Sequence, residues 1–333
     1  MAAAATVELD ARGKRFGELL LPRVTNASGW GNLVVPLGVV AGGDGPTAVV
    51  LGGVHGDEPE GQVAALNLLR DLHPDDVAGR VIVVPCLSPE ASRASTRLWP
   101  SGANLNRSFP GDPHGSLDEQ LAHFVSTELI PRADIVVDIH SGGRSGLHLP
   151  WSEMHWVDDD EQRRAMVDGM IAWGTEWCVV YIDVAGGGLL VGEAERQGKI
   201  VVSTELGGGG HVTAEVHALA RSGLENVLRT FGVLHGPPAT REHDPRILMA
   251  TEVEDYVLAP EPGLWETLVP LGTAVERGEP LGRIHSIERP ERDPAVVHAA
   301  SPGIVCVVRA IATTEQGDCV TVIGREVEKR SLL

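Results

Sequence analysis

Apolar residues in this chain fall into short continuous runs, separated by stretches in which they recur every three or four positions. Residues 48–51, 81–85, 134–139, 178–182 and 200–204 are such runs, rich in Val and Ile. Uninterrupted β-branched runs of that length predict strands buried on both faces. Between them, residues 62–72, 117–129, 160–173 and 212–231 carry apolar side chains at helical spacing and predict the helices that cover those strands. One or two strands are expected earlier, residues 33–40 being the clearest, with Gly42-Gly43-Asp44-Gly45-Pro46 as the turn into the run at 48–51. The pattern predicts an α/β sheet covered on both faces, with ligands bound beyond the carboxyl ends of its strands.

Near residue 241 the texture changes. Helical periodicity stops, and short strands with Pro-Gly and Gly-acid turns take over. Pro262-Gly263 is answered by Gly278-Glu279, and Pro302-Gly303 by Gly317-Asp318. This internal repeat predicts two interlocked β-motifs in a small barrel-like module. The chain is therefore divided into an α/β domain at 1–240 and a β-module at 241–333. The module resembles the hairpins of lipoyl and biotinyl carriers, whose modified lysine sits at a hairpin tip. Here Lys329 is the only lysine after Lys199, which argues for a lid or packing module in place of a swinging arm.

Charge narrows the function. A net charge of −19 argues against a nucleic-acid surface and makes any local cluster of arginines informative. No apolar stretch is long enough for a bilayer, and the first residues lack the basic start and apolar core of a secretion signal. Cys86, Cys178, Cys306 and Cys319 are scattered, as free thiols in a reducing cytoplasm would be. A soluble cytoplasmic protein is expected, with no membrane or nucleic-acid partner; a homo-oligomer is left open.

Candidate chemistry starts at Gly52-Gly53-Val54-His55-Gly56-Asp57-Glu58-Pro59, a glycine-rich turn between a predicted strand and a predicted helix. His55 and Glu58 there can reach a common point, which is two of the three protein ligands of a catalytic zinc. Asp138-Ile139-His140-Ser141-Gly142-Gly143 puts His140 at the end of another strand as the third, with Asp138 as an orienting carboxylate. Two His and one Glu leave one position of Zn²⁺ open to water, an arrangement suited to hydrolysis. Glu205 ends the run at 200–204 beside four consecutive glycines and is the candidate general base. Asn106 and Arg107, in a loop bounded by turn formers, offer an amide and a fork for a carboxylate, and Arg97 is the candidate oxyanion partner. Arg93 is read as pairing with surface acids, and His148 and His155, among other histidines, as surface or core residues.

His55-Gly56-Asp57-Glu58, Asn104-Leu105-Asn106-Arg107-Ser108-Phe109-Pro110-Gly111, Asp138-Ile139-His140-Ser141-Gly142-Gly143 and Thr204-Glu205-Leu206-Gly207 together resemble the succinylglutamate desuccinylase/aspartoacylase family. That family is a branch of the zinc-carboxypeptidase-like fold, a three-layer mixed sheet. Within it the chain looks most like the deacetylases of N-α-acetyl-L-2,4-diaminobutyrate in ectoine breakdown. The resemblance implies zinc on His55, Glu58 and His140, with Glu205 as base and later as acid to the leaving amine. It also implies Arg97 on the scissile carbonyl, Asn106 and Arg107 on the substrate's α-carboxylate, and a β-module that narrows the pocket. Tyr256 is the only tyrosine in that module and matches no family motif. A diaminobutyrate side chain would need an anion, for which Asp183 and Glu193 are candidates; residues 146–160, with Trp151, Glu153 and Trp156, are candidates for shaping the acyl pocket. The expected activity is zinc-dependent release of a short acyl group, acetyl, from a small-molecule N-acyl amino acid. The competing readings are a desuccinylase, aspartoacylase or carboxypeptidase, and a metal-dependent amino-acid-binding protein without turnover.

Overall fold

The apolar runs form the centre of one long mixed sheet in the computed structural model, which describes residues 3–181, 186–240 and 243–332. A short strand β1 (Ala4–Ala5) and a long hairpin, β2 (Gly13–Thr25) with β3 (Ser28–Ala41), come first. Then follow β4 (Thr47–Gly52), α1 (Pro59–Asp71), β5 (Arg80–Val84), α2 (Pro89–Ala94), α3 (Leu117–Phe124) and β6 (Ile135–His140). Next come β7 (Gly146–His148), β8 (Trp151–His155), α4 (Asp160–Ala172), β9 (Trp177–Tyr181), α5 (Leu190–Arg196), β10 (Ile200–Glu205), α6 (Ala214–Thr230) and β11 (Arg246–Ala250).

The order is β1-β2-β3-β5-β4-β6-β10-β8-β9-β11. Strands β5, β4, β6 and β10 are parallel, whereas β3 on β5 and β8 on β10 run antiparallel. Chain order reverses beside β4, whose neighbours are β5 and β6, so a crevice opens at their carboxyl ends. His55 follows the first of these ends and His140 closes the second.

Alternation explains why the central strands are apolar throughout. Val49, Leu51, Ile82, Val84 and Val136 join one core, and Ala48, Val50, Val81, Val83 and Val137 join the other. Helix α6 contacts both α1 and α4 on one face, while α5 packs on β6 and β10 from the other, giving three layers. The helix expected over 117–129 is present, its last turn widened to a π-turn at Val125–Leu129. Helices α2 and α5 were not expected; both are under two and a half turns, too short to show a period.

Beyond β11 the chain forms short strands joined by turns: β12 (Tyr256–Leu258), β13 (Gly263–Thr267), β14 (Ala274–Val275), β15 (Pro280–His285), β16 (Ala295–His298), β17 (Gly303–Arg309), β18 (Thr313–Thr314) and β19 (Cys319–Val327). Both Pro-Gly turns deliver a glycine as the first residue of a strand, β13 and β17. The two copies then exchange partners: β14 of the first pairs with β17, and β18 of the second pairs with β13. Strand β19 pairs with β11, so this segment continues the main sheet while a second sheet, β16-β15-β13-β18, closes over its own core of Trp265, Leu281, Ile284 and Ile323. No helix among the described residues is long and apolar enough to cross a membrane.

Candidate active site

Strand ends and a helix start bring the titratable groups together. Pro59 at the first position of α1 presets the helical φ, which leaves Glu58 as its N-cap and aims it back at the sheet. The turn before it is so tight that a Cβ on Gly56 would lie 2.1 Å from the Ala91 carbonyl carbon. Across the sheet, Glu205 pairs with His140 and with Trp151, and Ser203 pairs with Asp138 and with Glu153. Residues in register share a face, so Asp138, His140, Ser203, Glu205, Trp151 and Glu153 all project to the same side.

His55 Nδ1 and His140 Nδ1 each lie 2.7 Å from one oxygen of the Glu58 carboxylate. All three side chains are buried, and their ligand atoms fall within 4.8 Å of one another. His140 Nε2 lies 2.9 Å from Asp138 Oδ2, which fixes the ring and leaves Nδ1 facing inward. Burial would raise the Glu58 carboxyl, but the two imidazoles outweigh it and hold it well below its usual range. Burial would likewise lower His140; Asp138 and Glu58 reverse the sign and keep it well above the ordinary imidazole value. His55, with a single carboxylate partner, is lowered by burial, and its Nε2 is buried with no hydrogen-bond partner. Two imidazole nitrogens and a carboxylate oxygen, dry and convergent, match the donor set and spacing of a divalent zinc site.

Around this group lies a cavity of about 340 Å³ lined by residues from both the α/β part and the C-terminal strands. Arg97 NH1 lies 3.0 Å from Glu58 Oε1, with its side chain 46% exposed at the cavity mouth. Asn106 and Arg107 line the cavity from the one-turn helix Leu105–Arg107, where Asn104 Oδ1 accepts from Asn106 N. Asn106 Oδ1 accepts from Leu190 N at 2.9 Å, tying that loop to α5. Glu205 lines the cavity beside the glycine run; Gly207, Gly208, Gly209 and Gly210 all take positive φ, at 74°, 139°, 77° and 71°. That backbone path is the reason for four consecutive glycines. Burial first, then the nearby Glu58 and Glu153, lifts the Glu205 carboxyl well above its usual range.

Of the residues singled out from the sequence, His55, Glu58, His140, Arg97, Asn106, Arg107 and Glu205 lie together, whereas Asp183 falls outside the described residues. Glu193 does not reach the cavity: Arg196 donates to both its oxygens at 2.7 and 2.9 Å, and Gln197 to one at 2.6 Å. Trp151 and Glu153 line the cavity, but Trp156 lines a neighbouring cleft of about 500 Å³ with Arg163 4.7 Å over its ring. His148, read from sequence as an ordinary histidine, is a cavity residue: its Nδ1 is 3.6 Å from Glu205 Oε2 and its ring stacks 4.9 Å from Trp151. Burial lowers its pKa to about 4, so the ring is neutral at neutral pH. Nothing in the sequence near His148 signals this, because β17 of the C-terminal segment pairs with β7 and sets its position. Tyr256 also reaches the cavity wall, donating to the Ala250 carbonyl at 3.2 Å.

Comparison with known proteins agrees with this geometry. Residues 44–231 match the model of the succinylglutamate desuccinylase/aspartoacylase catalytic domain. The N-alpha-acetyl-L-2,4-diaminobutyric acid deacetylase of Halomonas elongata is 38% identical over 97% of this chain and 95% of its own length. The product-bound ectoine utilization protein EutE (DoeB) of Ruegeria pomeroyi superposes with a TM-score of 0.93 at 35% identity, covering 97% of this chain and 98% of that one. A succinylglutamate desuccinylase/aspartoacylase from Rhodobacter sphaeroides gives 0.93 at 36% identity over 99% of this chain and 100% of that one. On its catalytic-domain match and its near full-length relatives, this chain belongs to the succinylglutamate desuccinylase/aspartoacylase family.

Proposed function

We propose that this protein is a zinc-dependent amidohydrolase that removes a short acyl group, acetyl, from the α-amino group of N-α-acetyl-L-2,4-diaminobutyrate. The observation that carries the reading is the convergence of His55, Glu58 and His140 within 4.8 Å beside Glu205 in one cavity. The name of the Halomonas elongata relative supports the substrate. His55, Glu58 and His140 would hold the zinc. When bound, zinc supplies a Lewis acid that polarises a carbonyl and lowers the pKa of water towards ~7.

The remaining roles belong to the chain's own groups. Asn106 and Arg107 receive the α-carboxylate of the amino-acid part, the fork of the guanidinium matching two carboxylate oxygens. Arg97, paired with Glu58 at the cavity mouth, is placed to turn onto the oxyanion that develops on the acyl carbonyl. Glu205 takes the proton of the attacking water and delivers it to the departing amine. A carboxyl held above its usual range suits both halves of that transfer, because it keeps a proton long enough to give it away. In this reading residues 241–333 form a barrel-like cap on the catalytic part at 1–240, and Tyr256, Cys306, Val307 and Val322 narrow the pocket to small substrates. A cytoplasmic site of action fits the four free thiols.

The test is a panel of acetylated, succinylated and aspartylated amino acids with zinc-loaded protein. Acetylated diaminobutyrate is expected to give the highest kcat/KM. A higher value for a succinylated substrate or for a peptide would replace this reading with a desuccinylase or a carboxypeptidase, and zinc binding without turnover would replace it with a binding protein.

A further inference from the structure

One carboxylate in the cavity makes no ion pair among the described residues and has no contact with substrate in the chemistry above. Glu153 on β8 is 6% exposed and lines the cavity. Trp151 Nε1 donates to its Oε2 at 2.7 Å and Ser203 Oγ to its Oε1 at 3.4 Å. The site's ion pairs are made by other carboxylates, Glu58 with Arg97 and Asp138 with His140. Among the described residues none pairs a cation with Glu153. Val179 is its register neighbour on β9, and Tyr181, Cys306 and Val322 add to the apolar part of the same lining. Burial pushes its pKa up, outweighing the Trp151 and Ser203 hydrogen bonds and the fields of His140 and His155, which pull it down. A buried carboxylate in such walls is costly unless protonated or matched by a cation, and the cavity is the side from which a cation can come.

We propose that Glu153 is a specificity-determining residue that receives the side-chain ammonium of a basic N-acyl amino acid. This rests on the deacylase reading of the preceding section. Register supplies the spacing: Glu153 faces Ser203, two residues before Glu205 on β10, so it lies one step deeper than the catalytic level. Two residues along a strand span roughly 6–7 Å. From the scissile carbonyl carbon to the side-chain nitrogen of acetylated diaminobutyrate there are five bonds, roughly 6 Å when extended. A substrate anchored by its acyl group at Glu205 therefore reaches Glu153 with an ammonium two methylenes from its α-carbon.

The test compares N-α-acetyl-L-2,4-diaminobutyrate with N-α-acetyl-L-norvaline, which replaces the ammonium by a methyl at equal length. Wild-type enzyme is expected to prefer the cationic substrate by about 10- to 100-fold in kcat/KM, the size of a buried charge-assisted hydrogen bond. In Glu153→Gln that ratio should fall to within about threefold of unity, chiefly through KM. Calorimetric binding of the products L-2,4-diaminobutyrate and L-norvaline to wild type and to Glu153→Gln gives a second readout that needs no turnover. The proposal is overturned by a wild-type enzyme indifferent to the ammonium in both assays, or by a Glu153→Gln ratio equal to wild type. Failure of the deacylase reading looks different: zinc-loaded wild type would hydrolyse neither substrate, while comparing product binding by wild type and Glu153→Gln would still decide the role of Glu153.

Discussion

At the level of single residues, the site is a contest between burial and charge pairing, and its outcome differs from group to group. Glu58 is held ionised by two imidazoles, whereas for Glu205 burial and the charges of Glu58 and Glu153 outweigh those of His140 and Arg97 and push it the other way. Replacing Glu205 by Gln should lower kcat by about 10²–10⁴-fold with bound metal retained, measured by steady-state kinetics beside metal analysis. Glu60 offers a separate reading of the same physics. It is 1% exposed, receives the Ser141 hydroxyl at 2.5 Å, and burial raises its pKa from 4.5 to about 7. The fold thus favours the protonated form, so Glu60 contributes stability below pH ~4.5 that is lost as pH rises through about 7. In metal-free protein, Glu60→Gln should therefore melt above wild type at pH 8, by an amount worth on the order of 3 kcal/mol, and show no advantage at pH 4. His55, Glu58, His140 and Glu205 were legible in the sequence because each sits at a strand end or the turn after it, beside glycines. His148 was read as an ordinary histidine and Glu153 only as part of a segment shaping the acyl pocket, because their neighbours come from β10 and β17, far along the chain.

Elements differ in how much of themselves they announce. The long strands and helices are visible as periods because each has one or two buried faces to satisfy. Helix α5 spans only Leu190–Arg196 and shows no such period, yet it seals the cavity side of β6 and β10. The glycine run after β10 is the opposite case: plain in the sequence, with its reason supplied only by the fold. A Cβ on Gly208 would lie 2.1 Å from the Gly146 carbonyl oxygen, and its φ is 139°. Gly208→Ala should destabilise the protein by about 2–4 kcal/mol in urea titration and lower activity as well, since β7 and Glu205 meet at this loop.

For the whole molecule, the C-terminal strands complete the pocket from outside the family-matched region at 44–231. A cavity of about 340 Å³ closed by Cys306, Val307, Cys319 and Val322 has room for a small acylated amino acid. Extending the acyl chain from acetyl to decanoyl should cut kcat/KM by about 100-fold or more, read by comparing the two N-acyl substrates under identical conditions. Chelation should abolish turnover and lower the melting temperature, with both restored by zinc, because a ligand that binds only the folded state stabilises it by mass action.

The sequence by itself determined the alternation of strands and helices, the repeat near the C-terminus, and the candidate residues for metal binding and acid–base chemistry. Each of these is written locally, in a period, a turn or a strand end. Only the tertiary structure decided that β14 and β18 exchange partners between the two repeats, that β17 delivers His148 to Glu205, and that Glu153 faces the cavity with no ion pair among the described residues. Those outcomes depend on which strands pair and in what register, and a shift of one residue in register would turn the same side chains to the opposite face.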